Sequence, residues 1–186
     1  FGPAGLIVHD HQTALGIDPN IVDGAENEEI GFPVYVLDAG EVMYGVNTGF
    51  GAFSSVRISA DQIRELQRNL IRSHCSGVGE PFTIRESKVM MILRANALAR
   101  GHSGIRVEVI DKILEFYNND IIPVIPSQGS VGASGDLAPL SHLALALMGE
   151  GKVWSEGVQK NAAEVLKAKK IEPLILEHKE GLSLIN

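Results

Sequence analysis

The sequence predicts a mainly α-helical protein with short strand-like accessories, and three observations predict it. Apolar residues recur at helical spacing in separate windows beginning near Ser59, Thr83 and Ile110. Leu137 to Met148 is almost wholly apolar and too long for an ordinary buried strand. Strand-like β-branched runs are brief and sit around Gly-containing turns.

The elements follow in chain order. Residues 1–32 carry two Gly-rich patches, the acidic run Glu26-Asn27-Glu28-Glu29 and little periodicity, so they define no element. Val34-Tyr35-Val36-Leu37 and Val42-Met43-Tyr44 flank Asp38-Ala39-Gly40-Glu41, the pattern of a small hairpin. Gly45 to Gly51 sets glycines around Asn47 and Thr48 and reads as a loop permitting close backbone approach. Ser59 with Gln62 reads as a capping box before a helix to about Ser73, with Ile63, Leu66 and Leu70 on one face. Thr83 with Glu86 repeats that signal ahead of Val89, Met90, Leu93, Ala97 and Leu98, and Gly101 ends the second helix. Ile110, Ile113, Leu114 and Tyr117 mark a third, stopped by Asn118-Asn119-Asp120. Pro123 and Pro126 make Ile121 to Pro126 extended, since they forbid both a helix and an internal strand.

Ser127 to Asp136 is rich in glycine and serine and cannot be core. Leu137 starts a buried helix, with Pro139 tolerated because first-turn amides have no helical partner. Gly151 to Gln159 reads as a hairpin around Glu156-Gly157. Asn161 with Glu164 caps a short helix, and Glu172-Pro173 begins a last one that Gly181 ends.

Composition narrows the function. A net charge of −7, with a pI near 5.3, provides no cationic surface for a phosphate backbone, so nucleic acid is not an expected partner. No apolar run is long enough for a membrane helix, and no basic-then-apolar leader opens the chain. The single cysteine, Cys75, cannot form an intrachain disulfide and reads as a small packed side chain; the expected compartment is the cytoplasm. A chain that starts at Phe1 and stops at Asn186 without a polar tail reads as a fragment of a longer subunit.

The Gly129–Asp136 loop fits neither of two familiar Gly-rich patterns. A phosphate loop needs Gly-Lys-Ser/Thr where the helix begins, but Gly135 precedes Asp136, whose charge repels phosphate. A hydrolase elbow needs Gly-x-Ser-x-Gly, which neither Ser130 nor Ser134 satisfies. His9-Asp10-His11 lacks a third ligand, and no metal is expected. His102 and His178 belong to no constellation.

Within Gly-Ser-Val-Gly-Ala-Ser-Gly-Asp-Leu-Ala-Pro-Leu-Ser-His stands Ala133-Ser134-Gly135. This stretch resembles the signature of the aromatic amino acid ammonia-lyases and aminomutases, in which Ala-Ser-Gly cyclises to the electrophile methylidene-imidazolone (MIO). The residue types suit that chemistry. Glycine has the least hindered amide nitrogen for attack on the Ala133 carbonyl, and Ser134 can lose its hydroxyl as water. Placed at a helix N-terminus, the ring would face free amides and the positive end of the dipole. Tyr44-Gly45-Val46-Asn47-Thr48-Gly49-Phe50-Gly51 is similar to the loop bearing the family's catalytic tyrosine, which makes Tyr44 the expected base. Gln67 to Gly79 resembles the substrate-side segment. Its Ser73-His74 order matches the histidine-specific branch, where tyrosine-preferring members carry His-Leu and phenylalanine-preferring ones are apolar. His74 is the expected reader of the substrate ring; the competing reading is a helix-end cap. Asn186, ending Gly181-Leu182-Ser183-Leu184-Ile185-Asn186, resembles the asparagine of the family's Leu-x-Asn-Gly-Thr motif.

The resemblance covers Tyr44 to Asn186 and divides the chain into an unmatched segment, 1–40, and an MIO-bearing N-terminal domain, 41–186. It implies the N-terminal helical domain of the ammonia-lyase fold, a small-molecule amino acid substrate and a homotetramer. It also implies ammonia elimination from L-histidine to urocanate, an entry to histidine catabolism. This chain alone is expected to be inactive. The alternatives are a tyrosine or phenylalanine lyase, an aminomutase, or a scaffold paralogue without the ring.

Overall fold

The computed structural model describes residues 47–49, 56–59, 62–129 and 137–186. The hairpin expected at 34–44 lies outside them, as do Tyr44 and Ala133-Ser134-Gly135.

Helix α1, Ile63–His74, buries Ile63, Gln67, Leu70 and Ile71, so a polar residue stands in the middle of its apolar face. The expected Ser59–Gln62 capping box does not form. The Ser59 hydroxyl donates to the Gln62 side-chain oxygen at 2.9 Å and its carbonyl accepts the Gln62 amide, closing one turn before the helix begins. The helix starts one turn later than expected, with Gln62 at the N-cap and no side chain capping it.

After β1, Val78–Pro81, comes α2, Ile84–Leu98. Here the capping box is real: Thr83 Oγ1 accepts the Glu86 amide at 3.3 Å, and Glu86 Oε2 accepts the Thr83 amide at 2.8 Å. The bonds from Thr83 hold the Glu86 carboxyl below the usual carboxylate range. Thr83→Ala is expected to cost about 1 kcal/mol, read as a lower urea midpoint. The core face of α2 corrects the expected one. Ser87, Met91, Ala95 and Leu98 are buried, whereas Val89 and Leu93 are 50% and 61% exposed. A helix apolar on two sides has no single stripe for spacing to reveal.

Helix α3, Val107–Asn118, buries Val109, Ile110, Ile113, Leu114 and Phe116 and ends at Asn119, as expected. The proline-flanked stretch contributes two short strands, β2 (Ile122–Pro123) and β3 (Pro126–Gln128), each at a sheet edge, where a missing amide is tolerated. β3 pairs antiparallel with β1, with Val78 opposite Gln128 and Pro81 opposite Pro126. The strand β1 was not expected, because Val78-Gly79-Glu80-Pro81 shows no alternation.

Helix α4, Leu137–Leu147, is the buried helix after the glycine loop. The hairpin follows as β4, Lys152–Ser155, and β5, Val158–Asn161, with β2 completing a three-stranded sheet in the order β2-β4-β5. Its Glu156-Gly157 turn has φ of 55° and 78°, the paired left-handed geometry of a two-residue hairpin loop. Asn161 then caps α5, Ala162–Lys169, accepting the Ala163 amide at 2.9 Å.

The last helix also departs from the expected one. Residues 171–177 run without helix, burying Ile171, Leu174 and Leu176, and the Leu174 amide donates to the Leu147 carbonyl at 2.8 Å. Helix α6 spans only Glu180–Ile185, so Gly181 opens it rather than ending it. The reason is contact: a Cβ on Gly181 would lie 2.8 Å from Gln67 Oε1, which accepts the Gly181 amide. Helices α1, α4 and α6 pack on one another pairwise, over a core that continues through α2, α3 and β4. Among the described residues, no helix is long and apolar enough to cross a membrane.

Candidate active site

The glycine loop leaves β3 at Gly129 and returns at α4, and its two ends meet. A Cβ on Gly129 would stand 3.2 Å from the Ala138 Cβ and 2.8 Å from the Gly77 Cα. With φ of 152° as well, only glycine fits at 129. Residues nine apart in sequence are therefore neighbours, and Ala133-Ser134-Gly135 lies between them in the sequence. An open cleft of about 360 Å³ lies beside those ends, lined by Ser127, Pro139 and Leu140 from their flanks and by Phe82, Met90 and Arg94 opposite. His74 does not line it.

Residues 75–81 strap the end of α1 to this loop. β1 lies along β3, and the Gly77 amide donates to His142 Nε2 at 3.2 Å. Burial lowers the His142 pKa, which keeps its ring neutral and able to accept. Gly77 is needed for closeness, since a Cβ there would sit 2.9 Å from His142 Nε2.

His74 is the last residue of α1. Its Nδ1 lies 2.9 Å from the Leu70 carbonyl oxygen and 3.1 Å from Ser73 Oγ. A carbonyl only accepts, so Nδ1 carries the proton, and in the neutral ring Nε2 is left as an acceptor. The local bond that resembles a helix-end cap thus also sets the tautomer. Next to it, burial pushes the Cys75 thiol up to about 12, so it is no nucleophile at neutral pH and behaves as the small packed side chain its sequence context suggested.

Asn186 follows α6, its amide donating to the Leu182 carbonyl at 3.1 Å. Its own carbonyl accepts from Arg94 Nη2 at 2.9 Å, and the same nitrogen donates to the Ser183 carbonyl. Desolvation lowers the pKa of the half-buried Arg94. At its other end, α6 is held by Glu180, which is 1% exposed and takes a bidentate pair from Arg106 at 2.7 and 2.9 Å, plus the Glu177 amide at 2.7 Å. Sequence reasoning missed Arg94, Gln67 and the Arg106–Glu180 pair. Gln67 had a visible signal, a polar residue four after Ile63 on the same face; the other contacts join segments remote in sequence.

Of the expected site residues, His74 and Asn186 are described and stand on two packed helices, whereas Tyr44 and Ala133, Ser134 and Gly135 lie outside the described residues. Downstream of Tyr44, Asn47 and Thr48 are buried, and the loop folds back on residues 56–58 through Ile58 to Asn47 and Gly49 to Val56 backbone bonds of 2.9 and 3.0 Å.

Comparison with known proteins identifies the family. The family model for aromatic amino acid lyases matches residues 8–186. The chain is 59% identical over 145 residues to a histidine ammonia-lyase of Geobacillus sp. (strain WCH70), covering 78% of this chain and 28% of that protein. It is 56% identical over 151 residues to that of Staphylococcus aureus (strain MRSA252), covering 81% and 30%. It therefore spans less than a third of the length of these relatives. The crystal structure of histidine ammonia-lyase from Trypanosoma cruzi superposes with a TM-score of 0.81 at 41% identity, over 91% of this chain and 32% of that one. The mainly helical fold is that of these enzymes, and the chain belongs to the aromatic amino acid lyase family.

Proposed function

We propose that the intact protein to which this chain contributes is a histidine ammonia-lyase, releasing ammonia from L-histidine to give urocanate. The observation that carries the reading is the closeness of the loop's two flanks: a Cβ on Gly129 would stand 3.2 Å from the Ala138 Cβ, and Ala133-Ser134-Gly135 lies between them in the sequence. Flanks held this close suit self-cyclisation, because they offset in advance part of the entropy of bringing the Gly135 nitrogen to the Ala133 carbonyl. That attack expels one water, and loss of the Ser134 hydroxyl expels a second, giving MIO with no external cofactor and no metal. When formed, the ring supplies an electron-poor alkene that draws electrons from the amine-bearing substrate.

The chain's own residues do the rest. Tyr44, as phenolate, takes the weakly acidic β-proton. His74, with Nδ1 committed to Leu70, offers Nε2 to an imidazole N–H, which a phenyl ring cannot donate. Asn186 orients the substrate from the end of α6. Free amides of the first turn of α4 favour developing negative charge beside the loop. The 56–59% identity to histidine ammonia-lyases supports the choice of substrate. The working form is a cytoplasmic homotetramer built largely by parts of the subunit outside residues 41–186, so this chain alone is inactive.

The test is to incubate the intact enzyme with L-histidine, L-tyrosine and L-phenylalanine separately and follow product absorbance. Only histidine should react appreciably. His74→Leu should raise the histidine KM by about 10-fold or more, the loss expected for one hydrogen bond with its partner left unpaired. Turnover of tyrosine or phenylalanine in preference to histidine would overturn the reading, as would an unchanged KM in the His74 variant.

A further inference from the structure

Gly77 is the one point of the strap placed against both ends of the glycine loop. On the incoming side, its Cα limits the space at Gly129; on the outgoing side, its amide is bonded to His142, one and a half turns into α4. The two-stranded pairing begins only at Val78, so the Gly77 amide has no strand partner, and the imidazole takes that place. Just upstream, His74 ends α1. The span from His74 to Gly77 is too short to absorb much slack, at no more than about 3.5 Å per residue.

We propose that His142 is a positioning residue, whose Nε2 accepts the Gly77 amide and thereby fixes the separation between His74 and the first turns of α4, the helix that follows Ala133-Ser134-Gly135 in the sequence. This rests on the reading of His74 and the tripeptide as parts of one site. The latch itself does not depend on it. The choice of residue types is consistent. An imidazole reaches from the helix with a flat, rigid acceptor, and glycine leaves it room, with Pro126 Cβ at 3.1 Å closing the other side of the Gly77 position. His142 touches no substrate in this scheme; without it, the strap and α4 would drift relative to each other, and His74 would no longer be held in register with the start of α4.

The experiment compares His142→Leu with His142→Gln in the intact enzyme. Leucine has no acceptor, whereas the glutamine amide oxygen extends to about the position of Nε2. Hydrogen exchange resolved to the Gly77 amide should accelerate at least about 10-fold in the leucine variant and return toward wild type in the glutamine variant, with α4 protection unchanged. The histidine KM should rise about 10-fold with leucine and recover with glutamine. Unchanged Gly77 exchange in the leucine variant overturns the latch, and so does a loss of kcat and melting temperature with KM intact. If the leucine variant fails to fold, the wild type decides: Gly77 must be protected, and a freely exchanging Gly77 amide overturns the proposal. Exchange needs no substrate. A protected, His142-dependent Gly77 in a protein that does not deaminate histidine would therefore refute the functional reading while leaving the contact intact, and with it would go the assigned role of His142 in catalysis.

Discussion

Arg106→Ala is expected to destabilise the intact protein by about 3–5 kcal/mol, the largest effect on stability that any single side chain outside the apolar core should produce. The cost comes from what is left behind. The Glu180 side chain is 2% exposed, and its oxygens take Arg106 Nε and Nη2 at 2.7 and 2.9 Å and the Glu177 amide at 2.7 Å. Removing the guanidinium strands a carboxylate that water cannot reach, with only two neutral backbone amides, those of Glu177 and of residue 106 itself, as its remaining donors. Glu180 is also the first residue of α6, so the loss is delivered to the helix that ends at Asn186. Urea unfolding followed by far-ultraviolet circular dichroism reads the change as a lower midpoint at unchanged slope. A double variant, Arg106→Leu with Glu180→Leu, should recover part of the loss, because no buried charge remains, but not all of it, since the Glu177 amide loses its acceptor. A single variant within about 1 kcal/mol of wild type would mean that Glu180 finds solvent, as a surface pair does. The exposed Arg64–Glu177 pair, at 2.6 Å, is the internal control: its removal should leave the urea midpoint nearly unchanged.

The contrast between these two pairs marks how far the sequence could be read. Apart from the Ser59–Gln62 capping box, elements whose signals are local came out as expected: the Thr83–Glu86 capping box, the Asn119 end of α3, the Glu156-Gly157 turn and the Asn161 cap each depend on residues a few positions apart. Elements decided by remote partners did not. Gly181 looked like a helix stop because glycine usually is one there, yet Gln67, more than a hundred residues earlier, requires its missing side chain. Val89 and Leu93 looked like core because α2 is apolar on both faces, and spacing cannot say which face finds a partner. The same division holds in the site. His74 and the tripeptide are picked out by their neighbours in the sequence. The contact between Gly77 and His142, sixty-five positions apart, is one that no local pattern announces.

The largest effect on activity is expected from Ser134→Ala, which should lower kcat by about a thousandfold or more, on the scale of losing a site's principal electrophilic stabilisation. The side chain matters as a leaving group. Serine can surrender its hydroxyl as water to leave a methylidene, and alanine has nothing to surrender, so the variant cannot become an electron-poor alkene even if Gly135 still attacks Ala133. Intact mass separates the steps without any assay. The mature wild type should weigh less than its sequence by two waters, and the alanine variant by one at most. Tyr44→Phe supplies the complementary case: the full deficit of two waters with a comparably severe loss of rate, because the electrophile is present and the base is not. Distinct masses with similar loss of turnover would assign the two residues to different steps of one reaction. A wild type that deaminates histidine while retaining both waters would remove the electrophile from the scheme, and with it the role assigned to Ala133-Ser134-Gly135.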